Sequence, residues 1–123
     1  MDQTALVVED ETDLAVSYER LLRRHGYRVT YAGSRAAALS VIAAEPLGLV
    51  IADLRLPDGD GLDIVRAARA LPNPPPVLVA TVFASRATRQ AAIAAGAGAF
   101  LAKPFDAETF SRLVDHLTKR SPC

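Results

Sequence analysis

Tryptophan is absent, cysteine occurs once and neither charge is in excess. The lone Cys123 has no partner for an internal disulfide, so the fold must rest on its core, and a reducing, cytoplasmic setting is expected. Fourteen basic residues balance fourteen acidic ones. That leaves no electrostatic footprint for nucleic acid or for an anionic membrane, and nucleic-acid binding by these residues is not expected. The opening Met-Asp-Gln-Thr has no basic start, and the first apolar run stops at Glu9, so neither a secretory signal nor a membrane span is expected. What is present is apolar residue, half of the 123. A chain of that length buries roughly two-thirds of its unfolded surface, enough for one ordinary core.

Apolar runs and helical patterns alternate five times. Strands are expected at 4–8, 27–32, 47–52, 77–81 and 99–102. The run at 47–52 is apolar without alternation, as in a central parallel strand covered on both faces. Between the strands lie stripes at helical spacing: Leu14, Tyr18, Leu21 and Leu22; Ala38, Leu39 and Ile42; Leu62, Val65 and Ala68; a helix over 85–95; and Phe110, Leu113, Val114 and Leu117. Ser34 and Asp106 are placed to cap helices, and Gly26 to stop one. The segment 56–61 reads as a turn. The whole predicts an α/β fold, (βα)5 and doubly wound, one five-stranded parallel sheet with helices on both faces, in a single domain over 1–123.

In such sheets ligands bind outside the carboxyl ends of the strands. Those ends carry Glu9 and Asp10, then Asp53, Thr81 and Lys103. Taken singly, each has an ordinary use as a turn former, helix neighbour, strand residue or surface lysine. Taken together, their charges complement one another. Gathered carboxylates need a cation, and a hard oxygen set suits Mg²⁺. Lys103 and Thr81 add a point charge and a hydrogen-bond donor for one more group, which a phosphoryl group would complete. A carboxylate nucleophile that forms an aspartyl phosphate is known chemistry, and Asp53 is the candidate.

The segments L-V-V-E-D-E at 6–11, L-V-I-A-D-L-R-L-P-D-G-D-G-L at 49–62, V-L-V-A-T at 77–81 and F-L-A-K-P-F at 100–105 resemble a response-regulator receiver domain, like the chemotaxis regulators of two-component signalling. The resemblance spans essentially the whole chain. It implies the strand order 2-1-3-4-5. It implies that Asp53 takes a phosphoryl group from the phosphohistidine of a sensor histidine kinase or a histidine phosphotransfer protein. It also implies a Mg²⁺ site of Asp10, Glu9 through water, Asp53 and the main-chain carbonyl of Arg55. Lys103 would hold a phosphoryl oxygen, the bond to Pro104 would be cis, and Thr81 and Phe100 would switch the face of the fourth helix, fifth strand and fifth helix. A downstream protein, an output domain beyond residue 123 or a phosphorylation-dependent dimer would read that face.

Three positions depart from the family's commoner choices: Arg55, Val82 and Phe83. Outward-pointing side chains there would matter little. Alternatively, Val82 and Phe83 restrict the attacking water and lengthen the acyl phosphate's lifetime, while Arg55 pairs with Glu9 or Asp10 before phosphorylation. Leu14 and Val16 are candidates for a kinase-docking patch, with at least one of them expected in the core. His25 and His116 lack metal-ligand spacing. A dehalogenase-type phosphatase would need an acid where Arg55 stands. A pseudo-receiver, a binding module that works without phosphate, usually lacks one of the acid, Thr or Lys positions, all present here.

Overall fold

The computed structural model describes residues 3–118. The expectations for the chain start and for the tail with Cys123 fall outside them. Strands β1 (Gln3–Val8), β2 (Tyr27–Ala32), β3 (Leu49–Ala52), β6 (Val77–Thr81) and β7 (Ala99–Ala102) form one parallel sheet in the order β2-β1-β3-β6-β7. This is the predicted 2-1-3-4-5 arrangement. Helices α1 (Thr12–Arg24), α2 (Arg35–Ala44), α3 (Leu62–Arg69), α4 (Arg86–Ala95) and α5 (Ala107–Thr118) are the crossovers and the last element.

One addition was not foreseen. The segment read as a turn is a hairpin of β4 (Arg55–Leu56) and β5 (Gly59–Asp60), with Pro57 and Asp58 at its tip. Gly59 allows the reversal with a φ of 156°. Gly61 allows the return: a β-carbon there would lie 1.9 Å from the Asp53 carbonyl oxygen, while its amide donates to the Leu54 carbonyl at 2.8 Å. β3 also begins two residues later than the apolar run, at Leu49.

The sheet divides the core in two. Leu6, Val8, Val50, Ala52 and Val79 pack against α2, α3 and α4 on one face. Ala5, Val7, Leu49, Ile51 and Leu78 pack against α1 and α5 on the other. Successive strand side chains point to opposite faces, so a strand between two helical layers is apolar throughout. Every residue of β3 and β6 is buried.

The helix ends follow their local chemistry. Ser34 accepts the Ala37 amide, Asp106 accepts the Thr109 amide, and Ser85 forms a reciprocal capping box with Thr88. Gly26 and Gly96, with φ of 88° and 116°, follow α1 and α4. Neither Leu14 nor Val16 is buried: Leu14 is half-covered against the α1–α5 core and Val16 is exposed. No helix among the described residues is long and apolar enough to cross a membrane.

Candidate functional site

Backbone hydrogen bonds carry the sheet register one residue past the strands and so aim the rim. The Glu9 amide donates to Ala32, that of Asp53 to Val8 and that of Lys103 to Thr81, at 3.0, 3.3 and 2.9 Å. Glu9, Asp53, Thr81 and Lys103 thereby stand on one edge of the sheet.

The Lys103 ammonium joins two carboxylates there. Nζ donates to Glu9 Oε1 at 2.7 Å and to Asp53 Oδ2 at 2.8 Å. All three side chains are largely covered, with exposures of 8% for Lys103, 3% for Glu9 and 12% for Asp53. Burial pushes the Glu9 carboxyl above its ordinary value, although the Lys103 ammonium and the Glu11 amide work against it. Burial also disfavours the Lys103 charge. Its hydrogen bonds to Asp53 and Glu9 outweigh that, and the ammonium titrates higher than usual. Asp53 Oδ1 accepts the Arg55 amide at 3.2 Å. The Lys103–Pro104 bond is cis.

Thr81 is fully buried, and its hydroxyl oxygen accepts the Phe83 amide at 3.1 Å. Phe100 is half-buried against the α2–α4 side of the core. Val82 and Phe83 are 60% and 44% exposed. Arg55 forms no ion pair among the described residues, which corrects the expected contact with Glu9 or Asp10. Its guanidinium lies over the Phe83 ring, 3.9 Å from the centroid, because Lys103 already holds Glu9 and an aromatic face offers the cation an alternative. His25 pairs with Asp115 at 3.1 Å, and His116 is exposed on α5.

A cleft of about 630 Å³ opens in front of this edge. Its walls include Glu9, Asp10, Glu11 and Asp53 against two cations, Lys103 and Arg55. Four carboxylates against two cations leave an excess of negative charge and several hard oxygen donors, a set that fits a divalent cation. The acids are not closed into a metal-holding cluster among the described residues. Lys103 stands between Glu9 and Asp53, and the Asp10 residue is exposed.

Two further features escaped sequence reading. Asp58 accepts the amides of Arg35 at 2.6 Å and Ala36 at 2.9 Å, tying the β4–β5 hairpin to the start of α2. Tyr18, counted in the apolar stripe of α1, has a buried hydroxyl with no hydrogen-bond partner among the described residues. A tyrosine among leucines was the signal, since a buried hydroxyl ordinarily finds a partner.

The response regulator receiver domain model matches residues 5–115. The response regulator protein PilR of Pseudomonas aeruginosa is 38% identical over 112 residues, covering 91% of this chain and 25% of PilR. The chain spans a quarter to a half of the length of the first curated relatives it matches. Among solved structures, a response regulator protein from Burkholderia pseudomallei with a phosphorylated aspartic acid, calcium ion and citrate superposes with a TM-score of 0.83 at 32% identity, over 96% of this chain and 68% of that one. The receiver domain of sensor histidine kinase PA1611 from Pseudomonas aeruginosa, with a magnesium ion coordinated in its active site cleft, superposes with a TM-score of 0.85 at 30% identity, over 98% and 100%. The sheet order, the charged rim and these matches agree: the chain belongs to the response regulator receiver domains of two-component signalling.

Proposed function

We propose that Asp53 accepts a phosphoryl group from a phosphohistidine of a sensor histidine kinase or histidine phosphotransfer protein, in a Mg²⁺-dependent transfer. The observation that carries this is Lys103, whose ammonium is held at 2.8 Å on Asp53 at the head of the cleft. An Asp53 oxygen attacks phosphorus, the nitrogen–phosphorus bond breaks, and the imidazole leaves with its electron pair and takes a proton. Lys103 steadies one phosphoryl oxygen. Asp10, Asp53 and the Arg55 carbonyl would hold Mg²⁺, with Glu9 acting through water. When bound, the ion would supply positive charge that stabilises the phosphoryl oxygens. The phosphorylated aspartate and the magnesium ion named for the two solved relatives support both parts.

The response runs through Thr81. Its hydroxyl would leave the Phe83 amide to donate to the phosphoryl group, and Phe100 would fill the space it vacates. The face of α4, β7 and α5 then changes its preference for a downstream protein, an output domain beyond residue 123 or a second receiver. Arg55 stacked on Phe83, with Val82 beside them, shields the acyl phosphate from water and lengthens its life. The chain acts in the cytoplasm as a signalling domain that catalyses only its own phosphorylation and dephosphorylation.

Acetyl phosphate with Mg²⁺ tests the core of this reading. The wild type should gain the mass of one phosphoryl group, and Asp53→Asn should gain none. A wild type left unmodified where a control receiver is labelled would overturn the reading in favour of a phosphate-independent binding module.

A further inference from the structure

The β4–β5 hairpin has two residues in each strand and lies at the surface, yet it is tied down at both ends. A hairpin of that size has little stability of its own in water. At its base the Arg55 amide donates to Asp53 Oδ1 at 3.2 Å, and the Gly61 amide to the Leu54 carbonyl at 2.8 Å. At its tip the two Asp58 carboxylate oxygens accept the amides of Arg35 and Ala36. The Arg35 side chain then lies against the hairpin, close enough that a β-carbon on Gly59 would meet its Cδ at 2.6 Å. Its Nε donates to Asp63 Oδ2 of α3 at 2.7 Å, and Arg66 Nη1 to the other Asp63 oxygen at 3.2 Å. Capping of α2 explains the two amides on Asp58. It does not explain why Arg35 passes over Gly59 to reach α3.

The hairpin begins at Arg55, whose main-chain carbonyl is the one protein ligand of the proposed Mg²⁺ site that is not a side chain. A carboxylate can turn about its own bonds to meet an ion. A carbonyl oxygen moves only with its backbone, so whatever places the hairpin also places this ligand. Mg²⁺ tolerates little error there, since it demands near-ideal octahedral geometry and short bonds. The two hydrogen bonds at the base hold the hairpin where it leaves Asp53 and where it returns at Gly61. Contacts at the tip with two different helices then remove the freedom to tilt between those points.

We propose that Asp58 and Arg35 are positioning residues of the divalent-ion site, clamping the β4–β5 hairpin to α2 and α3 so that the Arg55 carbonyl is in place before an ion arrives. This rests on the Mg²⁺ site of the proposed function and deepens it. Neither residue lines the cleft, and both act through the backbone of the hairpin.

The test titrates the full chain with magnesium chloride at constant ionic strength and follows amide chemical shifts, with no phosphoryl donor present. Asp58→Ala and Arg35→Ala should each weaken Mg²⁺ binding about tenfold, the scale for partners that orient metal ligands. The Gly59 and Asp60 amides should exchange faster in both. The pair separates placement from charge. By charge alone, losing the Asp58 anion would weaken binding of a cation, whereas losing the Arg35 cation would tighten it. Arg35→Ala binding Mg²⁺ as tightly as wild type, or more tightly, would overturn the inference and leave the proposed function standing. Ser34→Ala removes a cap from the same end of α2 without touching the hairpin, and it should keep the wild-type affinity. A loss there as large as in Arg35→Ala would overturn the inference as well, since loosening of α2 would then suffice. A wild type whose Asp10 and Asp53 amides do not respond to Mg²⁺ would overturn the metal site of the proposed function and this inference with it.

Discussion

A single ammonium decides the resting chemistry of the rim. Lys103 is shared by two covered carboxylates, and removing it would leave both facing each other without a cation. Lys103→Ala is therefore expected to lose about 3 kcal/mol of stability at neutral pH, the scale seen when one partner of a buried pair is deleted. Urea unfolding measures this, and added Mg²⁺ should restore part of the loss. A variant as stable as wild type would show that the acids simply take up protons instead. At the same scale, Phe83→Ala and Val82→Ala should hasten decay of the acyl phosphate several-fold, and Arg55→Ala should follow Phe83→Ala because the guanidinium rests on that ring. Decay at the wild-type rate in all three would sink the shielding role. Asp53, Glu9, Thr81 and Lys103 were legible in the sequence because strand ends fix where those residues fall. The partner of Arg55 was not, since an exposed long side chain chooses between an acid and an aromatic face only once both are placed. Tyr18 was legible as a core position but not as a stranded donor, because periodicity reports the face and not the reach of a hydroxyl.

Helix caps show what an element takes from its own sequence and what it borrows. The caps Ser34 and Asp106 were readable because each lies three residues from the amide it serves. The clamp by Asp58 was not, because it reaches α2 across more than twenty residues. The β4–β5 hairpin was missed for a related reason, since strands of two residues carry no periodicity. Together Ser34 and Asp58 satisfy the first three amides of α2. Asp58→Ala should accordingly lower the melting temperature by a few degrees, with α2 amides exchanging faster. Unchanged exchange there would deny the clamp. The amides of Ala36 and Arg35 hold the Asp58 carboxyl below its ordinary value. Arg35 does so for Asp63, and Thr109 for Asp106. For such groups the unfolded chain binds protons more readily, near the ordinary 3.8. Their contribution is present in full above that pH and is lost as the pH falls through the lower folded values. An acid unfolding curve should move toward neutral pH in Asp58→Ala, and a superimposable curve would contradict the assignment.

At the scale of the molecule the five helices of the described residues are unequally anchored. α1 and α3 each bury three residues, α2 and α5 two, and α4 only Ala92. Alternation of apolar runs made the layered sheet legible, but which helix is loosely held depends on contacts that no local pattern contains. The strand order likewise came from the resemblance and not from periodicity. A helix held by one buried side chain opens at little cost, and elements that move in switching are drawn from that end of the stability range. α4 also follows directly from Thr81 through Val82 and Phe83, so a shift of the Thr81 hydroxyl toward a phosphoryl group pulls on its start. Hydrogen exchange should therefore find α4 amides the least protected of the five helices at rest. On adding beryllofluoride and Mg²⁺, protection should change in α4 and β7 and stay constant in α2 and α3. In Thr81→Ala the rim should still bind the analogue, more weakly, while the change in α4 disappears. Were protection to change first in α2, the signal would be leaving through the Asp58 clamp and not through Thr81.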